Sequence, residues 1–292
     1  MPNDPRNADA SPGANADQIA YWNGDAGMRW RAQQERLDAL FAPLTAAVMD
    51  FAAPAKGERV LDIGCGCGAT LLALAPRVGP EGKLLGVDIS QAMLERAAER
   101  LRAGPWQNAD VLLTDASSHP FEAGAFNLAF SRFGVMFFDD FAKAFANIQH
   151  SLAEGGRLAF VCWRPMAENP WFLAPLAAAR PYLPPQEPAD PDAPGPFALA
   201  NPERIRGILA SGGFSAIEIA RHDTELRIAG SNELALATDF AVQFGPTARA
   251  LAAAEPAARA AAEAAIREDL ARRARPEGII FPGSVWLVSA RA

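Results

Sequence analysis

The chain has 292 residues, half of them hydrophobic, which is enough to bury a full α/β core. Its net charge of −7 and its lack of a Lys/Arg cluster exclude nucleic acid as a partner, because phosphate neutralisation needs clustered cations. No apolar run approaches the roughly 20 residues of a membrane span, and three cysteines do not suggest a disulfide framework. These features predict a cytoplasmic protein.

The N-terminal part of the chain has two predicted sections. Residues 1–17 are rich in Asn, Asp, Pro, Ala and Gly without the pattern of a signal peptide, so they predict a disordered tail. Residues 18–50 form a helical leader, in which 26–49 are predicted as one helix. Its apolar positions follow helical spacing: Trp30, Leu37, Leu40, Phe41, Leu44 and Val48.

Strands and helices then alternate through the predicted core, residues 51–165. Strands are expected at 59–63, 83–87, 110–114, 126–131 and 157–163. One intervening helix carries Leu71, Leu74, Ala75 and Val78, and the next begins at Ser90 as N-cap and carries Met93, Leu94, Ala97 and Leu101. A third covers 139–153 and is closed by Gly155 and Gly156. This alternation predicts parallel strands joined by right-handed crossovers.

The regular alternation stops after Trp163. Residues 166–200 are proline-rich and predict an irregular insertion, whereas 233–274 are Ala-rich and predict helix within a second insertion, 231–282. A helix at 202–211 and a strand at 216–228 continue the core through 201–230, and 283–292 add a last strand. The expected fold is Rossmann-like α/β, with a seven-stranded, mostly parallel sheet flanked by helices and a cap built from the two insertions. Insertions of this kind usually build a ligand site.

A glycine-rich turn follows the first strand, in the run from Val60 to Gly68. Glycines allow positive φ and close backbone approach to a ligand, but dinucleotide-binding enzymes use a related loop. Three carboxylates sharpen the prediction, because Asp62, Asp88 and Asp115 end three successive strands at the edge where open α/β sheets bind ligands. Such an edge repels a pyrophosphate. It suits a sulfonium compound with ribose hydroxyls and amino groups, and this favours S-adenosylmethionine over NAD.

Taken together, these motifs resemble the class I S-adenosylmethionine-dependent methyltransferases of the ubiquinone/menaquinone-biosynthesis group (methyltransferase type 11/25). The resemblance runs from Tyr21 to Trp163. It rests on Val60–Gly68, Leu85–Ser90 with Met93, Thr114–Ala116, Pro120–Phe121 through Phe126–Asn127, and Leu152–Leu158. The family commonly has Asp where this chain has Asn127, at a position that supports the fold.

The resemblance implies a role for each matching residue. Gly64, Cys65 and Gly66 would lie under the methionine part of the cofactor, with Ser131 facing its methionyl end. Asp88 would bind the ribose hydroxyls. The adenine would be flanked by Ile89 and Met93 and contacted at its edge by Asp115 and Ala116, while the leader residues Tyr21 and Trp30 would fold over the cofactor. Trp30 is equally well explained as a core anchor.

The methyl acceptor is expected to be a small, largely apolar molecule. Candidates for its pocket follow the fourth strand or lie in and beside the first insertion: Arg132, Phe133, Met136, Phe137, Trp163 and Trp171, with Phe197 and Phe281 as further aromatic residues. Arg132 could hold a substrate carboxylate or pair with Asp139 or Asp140.

No catalytic base and no metal site are predicted. Cys65 and Cys67 form a C-x-C without further obvious ligands, and His119 is a turn residue. Methyl transfer needs mainly alignment and desolvation, so catalysis by proximity is expected. A catalytically silent S-adenosylmethionine-binding protein and an NAD-dependent oxidoreductase are the competing hypotheses. The chain could be a monomer or a homodimer.

Overall fold

A computed structural model describes residues 15–185, 190 and 192–292 of the chain. They contain a seven-stranded sheet in the order β3-β2-β1-β4-β5-β7-β6. The strands are β1 (Arg59–Ile63), β2 (Lys83–Asp88), β3 (Ala109–Leu113), β4 (Phe126–Arg132), β5 (Leu152–Trp163), β6 (Ser215–Ala229) and β7 (Ile279–Arg291). The predicted fold class is confirmed.

Strands β1 to β5 pair in parallel, while β7 runs antiparallel to both β5 and β6. The parallel strands are joined by crossovers, so their carboxyl ends meet at one edge of the sheet. The chain order reverses between β1 and β4, and this switch point is where open α/β sheets leave a crevice. The topology therefore locates the site before any side chain is considered.

Helices flank this sheet and follow the apolar spacing of the sequence. They are α1 (Ala16–Asn23), α2 (Asp25–Ala32), α3 (Gln34–Ala52), α4 (Ala69–Val78), α5 (Gln91–Arg102), α6 (Phe141–Ser151), α7 (Pro170–Ala179), α8 (Pro202–Ser211), α9 (Leu234–Gln243), α10 (Gly245–Ala252) and α11 (Pro256–Arg273). Helix α3 packs against β4, β5, β6 and β7, and α4 and α5 pack beside β2. Across the described part of the chain, no helix combines the length and apolarity needed to cross a membrane.

The leader is three helices, so the prediction of one helix over 26–49 is wrong. Breaks fall at Gly24 and Gln33. A Cβ on Gly27 would lie 2.0 Å from the carbonyl oxygen of Trp22, so this glycine permits the tight contact between the first two helices. The predicted tail is also too long, because α1 already begins at Ala16; residues 1–14 of that tail lie outside the described residues.

The segment before β5 also differs from its prediction. Helix α6 ends at Ser151, and residues 152–156 belong to the strand, with Gly155 at φ 73°. Because Gly155 and Gly156 were interpreted as a helix stop, the predicted helix over 139–153 was too long. The register shift between Phe126 and Leu128 on β4 accommodates this irregular strand entry. The last strand likewise begins earlier than predicted, at Ile279.

The cap is one helical layer made from both insertions. Helix α7 of the first insertion packs against α10 and α11 of the second, and α9 packs against both of these. The prediction that 166–200 is irregular is therefore wrong for α7 and for two short 3₁₀ helices beside it. The apolar residues of α7 lack amphipathic spacing, because neighbouring elements cover this helix on several sides.

A buried polar cluster fixes the start of the cap to the sheet. The Asn169 amide donates to the carbonyl oxygens of Arg164, Pro165 and Ser284, and its oxygen accepts from the Ser284 amide nitrogen. The Arg164 guanidinium is also buried and pairs with Glu168 and Asp223. Since a buried polar group must be hydrogen-bonded, this cluster sets where the cap crosses the sheet edge.

Candidate functional site

A cavity of about 1510 Å³ opens at the carboxyl edge of the parallel strands. The loops after β1, β2, β3 and β4 form its floor, the leader forms one wall, and the cap covers the other end. Ligand pockets typically measure about 300–1,000 Å³. This cavity therefore has room for two ligands side by side.

The glycine-rich loop turns sharply at the floor of the cavity. Gly64, Gly66 and Gly68 adopt φ values of 67°, 53° and 82°, which favour glycine. A Cβ on Gly64 would lie 2.6 Å from the Cα of Gly134, so the turn after β4 presses directly on the loop. The amide nitrogens of Gly64 and Cys65 both donate to the Val87 carbonyl, which ties the loop to β2.

Asp88 is the last residue of β2 and lies at the acidic end of the cavity, which Asp115 also lines. One carboxylate oxygen accepts from the Gly66 amide nitrogen at 2.8 Å, and the other accepts from Ser90 at the same distance. Burial raises its pKa despite these bonds. The carboxylate lines the cavity, and its remaining lone pairs are available to hydroxyl donors. Its predicted place at the site agrees with this geometry.

Asp62 does not reach the cavity surface, so its predicted direct contact with the cofactor is not found. The side chain is 0% exposed and accepts a hydrogen bond from the Thr70 hydroxyl at the start of α4. Its other oxygen, Oδ1, has no partner among the described residues. Burial raises the pKa of Asp62 to about 7. Asp62 thus supports the loop from behind.

This raised pKa predicts a pH-dependent stability. Because the folded protein holds the Asp62 proton up to about pH 7, and the unfolded chain only to about 3.8, the residue's contribution to stability is lost between these values as pH rises. Asp62→Asn removes this loss while keeping an acceptor for Thr70. We expect the free energy of unfolding of the variant, relative to wild type, to increase from pH 4 to 7 and then level off. Urea titrations of the ligand-free proteins measure it, and parallel profiles would contradict the assignment.

A second subsite surrounds the ends of β2 and β3. Ile89, Met93 and Ala116 line it with apolar atoms. Asp115 accepts from the Ser117 amide nitrogen through Oδ1, while its Oδ2 is buried without a partner in the described structure. An apolar slot with one free carboxylate oxygen suits a flat ring that carries an amino group. His119 contacts Thr114 and Phe121 instead of lining the cavity.

The leader covers this subsite through specific hydrogen bonds. Asn23 donates to the Ile89 carbonyl at 2.7 Å, and its oxygen accepts from the Gln91 amide nitrogen. Ser90 is the N-cap residue of α5, as predicted, but its own side chain makes no capping bond, and Asn23 caps the helix instead. The Ser90 hydroxyl instead donates to the Trp22 carbonyl. These bonds place Tyr21 against the cavity.

Trp30 is a core anchor, and its position also suits the predicted contact with the cofactor. Its ring lines the cavity, and it also packs against Trp22, Phe41 and Phe244. The residue therefore joins the leader to the core while it presents an aromatic surface to the site.

A network of polar side chains beside the glycine-rich loop is not predicted by the sequence. Gln34 donates to Asp38, and Asp38 also accepts from Arg100, which donates to the Cys67 carbonyl. This series of hydrogen bonds connects α3 to the glycine-rich loop through Arg100 of α5. Its signal in the sequence is weak, because Asp38 is a single acid between the buried Leu37 and Leu40.

Ser131 lies beneath the loop and is 0% exposed, so the expectation that it faces the methionyl end is not met. Its hydroxyl donates to the Ile63 carbonyl and accepts from the Gly134 amide nitrogen. Phe133 follows in the left-handed region at φ 68°. Strain at a non-glycine residue is often retained at functional sites, and here it directs the chain across the cavity floor.

Aromatic rings form the other end of the cavity. Phe133 stacks on Trp163 with ring centroids 4.4 Å apart, and Phe41 contacts both of them and Trp171. All six residues predicted for the acceptor pocket line the cavity: Arg132, Phe133, Met136, Phe137, Trp163 and Trp171. Phe197 lines it too, whereas Phe281 borders a small separate void within the cap.

Arg132 is a charged residue beside these rings. Its guanidinium donates to the Thr45 hydroxyl at 2.8 Å and lies over the Phe41 ring. The alternative pairing with Asp139 or Asp140 is not found, because Asp140 caps α6 by accepting from Lys143. Burial lowers the pKa of Arg132, although an arginine stays protonated at neutral pH.

Several other titratable groups at the site are neutral or already paired. Burial raises the pKa of Cys67 to about 12 and holds the pKa of Cys65 well above its ordinary value, so both thiols are neutral. Glu168 lines the cavity but pairs with Arg164 and Arg221. Among the described lining residues there is no His or Lys, and the described chain contains no His/Cys/Asp/Glu group suited to a metal ion.

A comparison with known proteins matches the central part of the chain to the kind of protein that its motifs indicate. Residues 60–156 match the family described as "Methyltransferase domain". The chain is 36% identical over 146 residues to aklanonic acid methyltransferase DauC of Streptomyces sp. (strain C5), covering 50% of this chain and 62% of that protein. It is 28% identical over 202 residues to nocamycin O-methyltransferase of Saccharothrix syringae, covering 66% of this chain and 72% of that protein.

A solved structure agrees on the fold. The YcgJ protein of Bacillus subtilis superposes with a TM-score of 0.56 at 19% identity, over 85% of this chain and 98% of that one. The match to the first relative spans less than two thirds of its length, so it concerns the shared domain. The match of residues 60–156 to the methyltransferase-domain family agrees with the resemblance that the motifs indicate.

Proposed function

We propose that this protein, whose residues 60–156 form a methyltransferase domain, transfers the methyl group of S-adenosylmethionine to a small, largely apolar acceptor. The observation that carries the proposal is one continuous cavity with two different ends. An acidic, glycine-lined end would hold the donor, and an aromatic end would hold the acceptor. In this division the core segments 51–165, 201–230 and 283–292 bind the donor, and the insertions 166–200 and 231–282 close over the acceptor.

The acidic end fits the proposed donor on three observations. Asp88 has free lone pairs for ribose hydroxyls, and Asp115 has a free oxygen for an exocyclic amine. The carboxyl of Asp62 lies behind the loop with its Oδ1 unpartnered in the described structure, and above about pH 7, where it ionises, it adds negative potential for a cationic ligand. A dinucleotide would bring its pyrophosphate to this carboxylate edge, so the same features disfavour NAD.

The aromatic end supports a flat, apolar acceptor. Phe133, Trp163 and Trp171 offer ring faces, and aromatic walls bind flat molecules with large buried area. The names of the two relatives, an aklanonic acid methyltransferase and a nocamycin O-methyltransferase, support a small-molecule acceptor, and the second name supports an acceptor oxygen. We therefore extend the proposal to O-methylation.

Catalysis in this proposal comes from positioning. When bound, the donor supplies an activated methyl group on a cationic sulfur. Asp88 and the glycine-rich loop fix one reactant, the stacked Phe133 and Trp163 orient the other, and the cap excludes water. The described lining residues include no His or Lys, and this favours an acceptor that is itself nucleophilic, such as an ionised oxygen.

A turnover screen tests the proposal. The protein is incubated with S-adenosylmethionine and fractionated small-molecule extracts, and products are followed by mass. We expect one acceptor to gain a single methyl group while an equal amount of S-adenosylhomocysteine forms. Binding of S-adenosylmethionine without any S-adenosylhomocysteine would indicate a silent binding protein. Binding of NAD with no binding of S-adenosylmethionine would indicate an oxidoreductase, and either result overturns the proposal.

A further inference from the structure

Arg132 carries a positive charge that the described part of the protein leaves without a counter-ion. Its only hydrogen bond there goes to the neutral hydroxyl of Thr45, and no carboxylate lies within ion-pair distance. The side chain is largely buried at the floor of the cavity, with the Phe41 ring on one side. Burying a charge without a partner costs free energy. An unpaired buried guanidinium therefore points to a ligand of opposite charge that pairs with it.

The acids that act on Arg132 electrostatically already have other partners. They are Asp38 and Asp62. Asp38 is bound by Arg100 and Gln34, and Asp62 is held by Thr70 behind the loop. Their field favours the charged guanidinium without occupying its N–H groups. Only one of the five N–H donors of Arg132 is engaged in the described structure, which leaves a face open to the cavity.

The position of Arg132 lies between the two ends of the cavity. It is the last residue of β4, directly before the strained Phe133 and the turn at Gly134 that presses on Gly64. Thr45 accepts from Arg132 while donating to the Phe41 carbonyl, so the guanidinium is held in one orientation. A planar fork of donors fixed in this way matches a carboxylate.

We propose that Arg132, oriented by Thr45, is a binding site for a carboxylate of a ligand in this cavity. The inference rests on the proposed function, and it adds a charge-recognition element between the donor and the acceptor. Two ligands could supply the carboxylate: the amino-acid part of S-adenosylmethionine, or an acidic acceptor. Both use the same chemistry, and paired probes with and without the carboxylate distinguish them.

Calorimetric titrations of wild type and Arg132→Gln provide the test. The donor pair is S-adenosylmethionine and its decarboxylated analogue, which keeps the sulfonium and the amino group. The acceptor pair is 2-naphthoate and 2-naphthamide. We expect Arg132→Gln to weaken the carboxylate-bearing member of one pair by about ten- to a hundredfold, as befits a lost charge-assisted bond, and to leave its partner unchanged. Arg102→Gln, an exposed change of the same charge, is the control.

The outcomes distinguish the donor from the acceptor as the source of the carboxylate. They also distinguish failure of the Arg132 site from failure of the proposed function. Selective loss of S-adenosylmethionine assigns the site to the donor, and selective loss of naphthoate assigns it to the acceptor. Unchanged affinities for all four probes overturn the inference while the proposed function stands. If wild type binds neither donor compound, the proposed function fails, and the naphthoate pair still tests Arg132. Should Arg132→Gln not fold, Thr45→Val, which removes the bonds of this hydroxyl to Arg132 and to the Phe41 carbonyl, must reduce the same selectivity.

Discussion

We expect replacement of Asp88 by alanine to abolish measurable binding of S-adenosylmethionine. The carboxylate holds the amide nitrogens of Gly66 and Ser90 at 2.8 Å, and it would also accept from the ribose hydroxyls. Its loss therefore loosens the loop and removes the ribose contact together. Two charge-assisted hydrogen bonds contribute about 3–6 kcal/mol, which corresponds to a loss of affinity of a hundredfold or more. Isothermal titration calorimetry measures the effect.

Two control variants make this result specific. Asp88→Asn keeps the shape and one acceptor oxygen, so we expect it to fold and to bind more weakly than wild type but more tightly than Asp88→Ala. Asp110→Ala removes an exposed carboxylate from β3, outside the cavity lining, and leaves binding unchanged. Wild-type affinity in a folded Asp88→Ala protein would show that the donor is bound elsewhere.

Gly64→Ala has the largest expected effect on stability. Its φ of 67° disfavours any side chain, and the new Cβ would lie 2.6 Å from the Cα of Gly134. The conformational cost is about 1–2 kcal/mol, and the forced backbone shift adds about 1–3 kcal/mol. We expect the free energy of unfolding to fall by about 2–5 kcal/mol, measured by urea titration, with loss of donor binding because the two loops are pushed apart.

Gly57→Ala is the matched control for this substitution. Gly57 also has a positive φ, 81°, but a Cβ there meets nothing within 4 Å. Its replacement should therefore show only the conformational cost, about 1–2 kcal/mol, and leave donor binding intact. Equal destabilisation by the two changes would mean that contact between Gly64 and Gly134 does not constrain the floor of the cavity.

The local patterns of the core predicted its strands and helices well. Runs such as Leu128–Phe130 are apolar because both faces of the central sheet are covered, and Leu71, Leu74 and Val78 mark one helix face. The breaks in the leader were missed because they depend on distant contacts. Asn23 caps α5 across 66 to 68 residues of sequence, and no local signal identifies that partnership.

The limits of the site prediction have a simple geometric cause. Side chains within a strand point to the faces of the sheet, and only residues at or beyond the strand end reach its edge. Asp88 and Asp115 stand at or after the ends of β2 and β3, and both line the cavity. Asp62 and Ser131 each precede the last residue of their strand, so they lie beneath the edge.

Other parts of the site depend on tertiary structure alone. The link from Gln34 and Asp38 to the glycine-rich loop requires α3 and α5 to meet, which spacing within either helix does not reveal. The cap similarly forms only when both insertions pack together. The aromatic residues were recognised by type, and the structure adds that Phe133 and Trp163 stack as one wall.

A crystal structure with S-adenosylhomocysteine tests the central claim most directly. The account predicts the adenine in the slot of Ile89, Met93 and Ala116, the ribose hydroxyls on Asp88, and the sulfur facing the aromatic end of the cavity. Electron density for the ligand at another site, or with its adenine among the aromatic rings of the cap end, would contradict it.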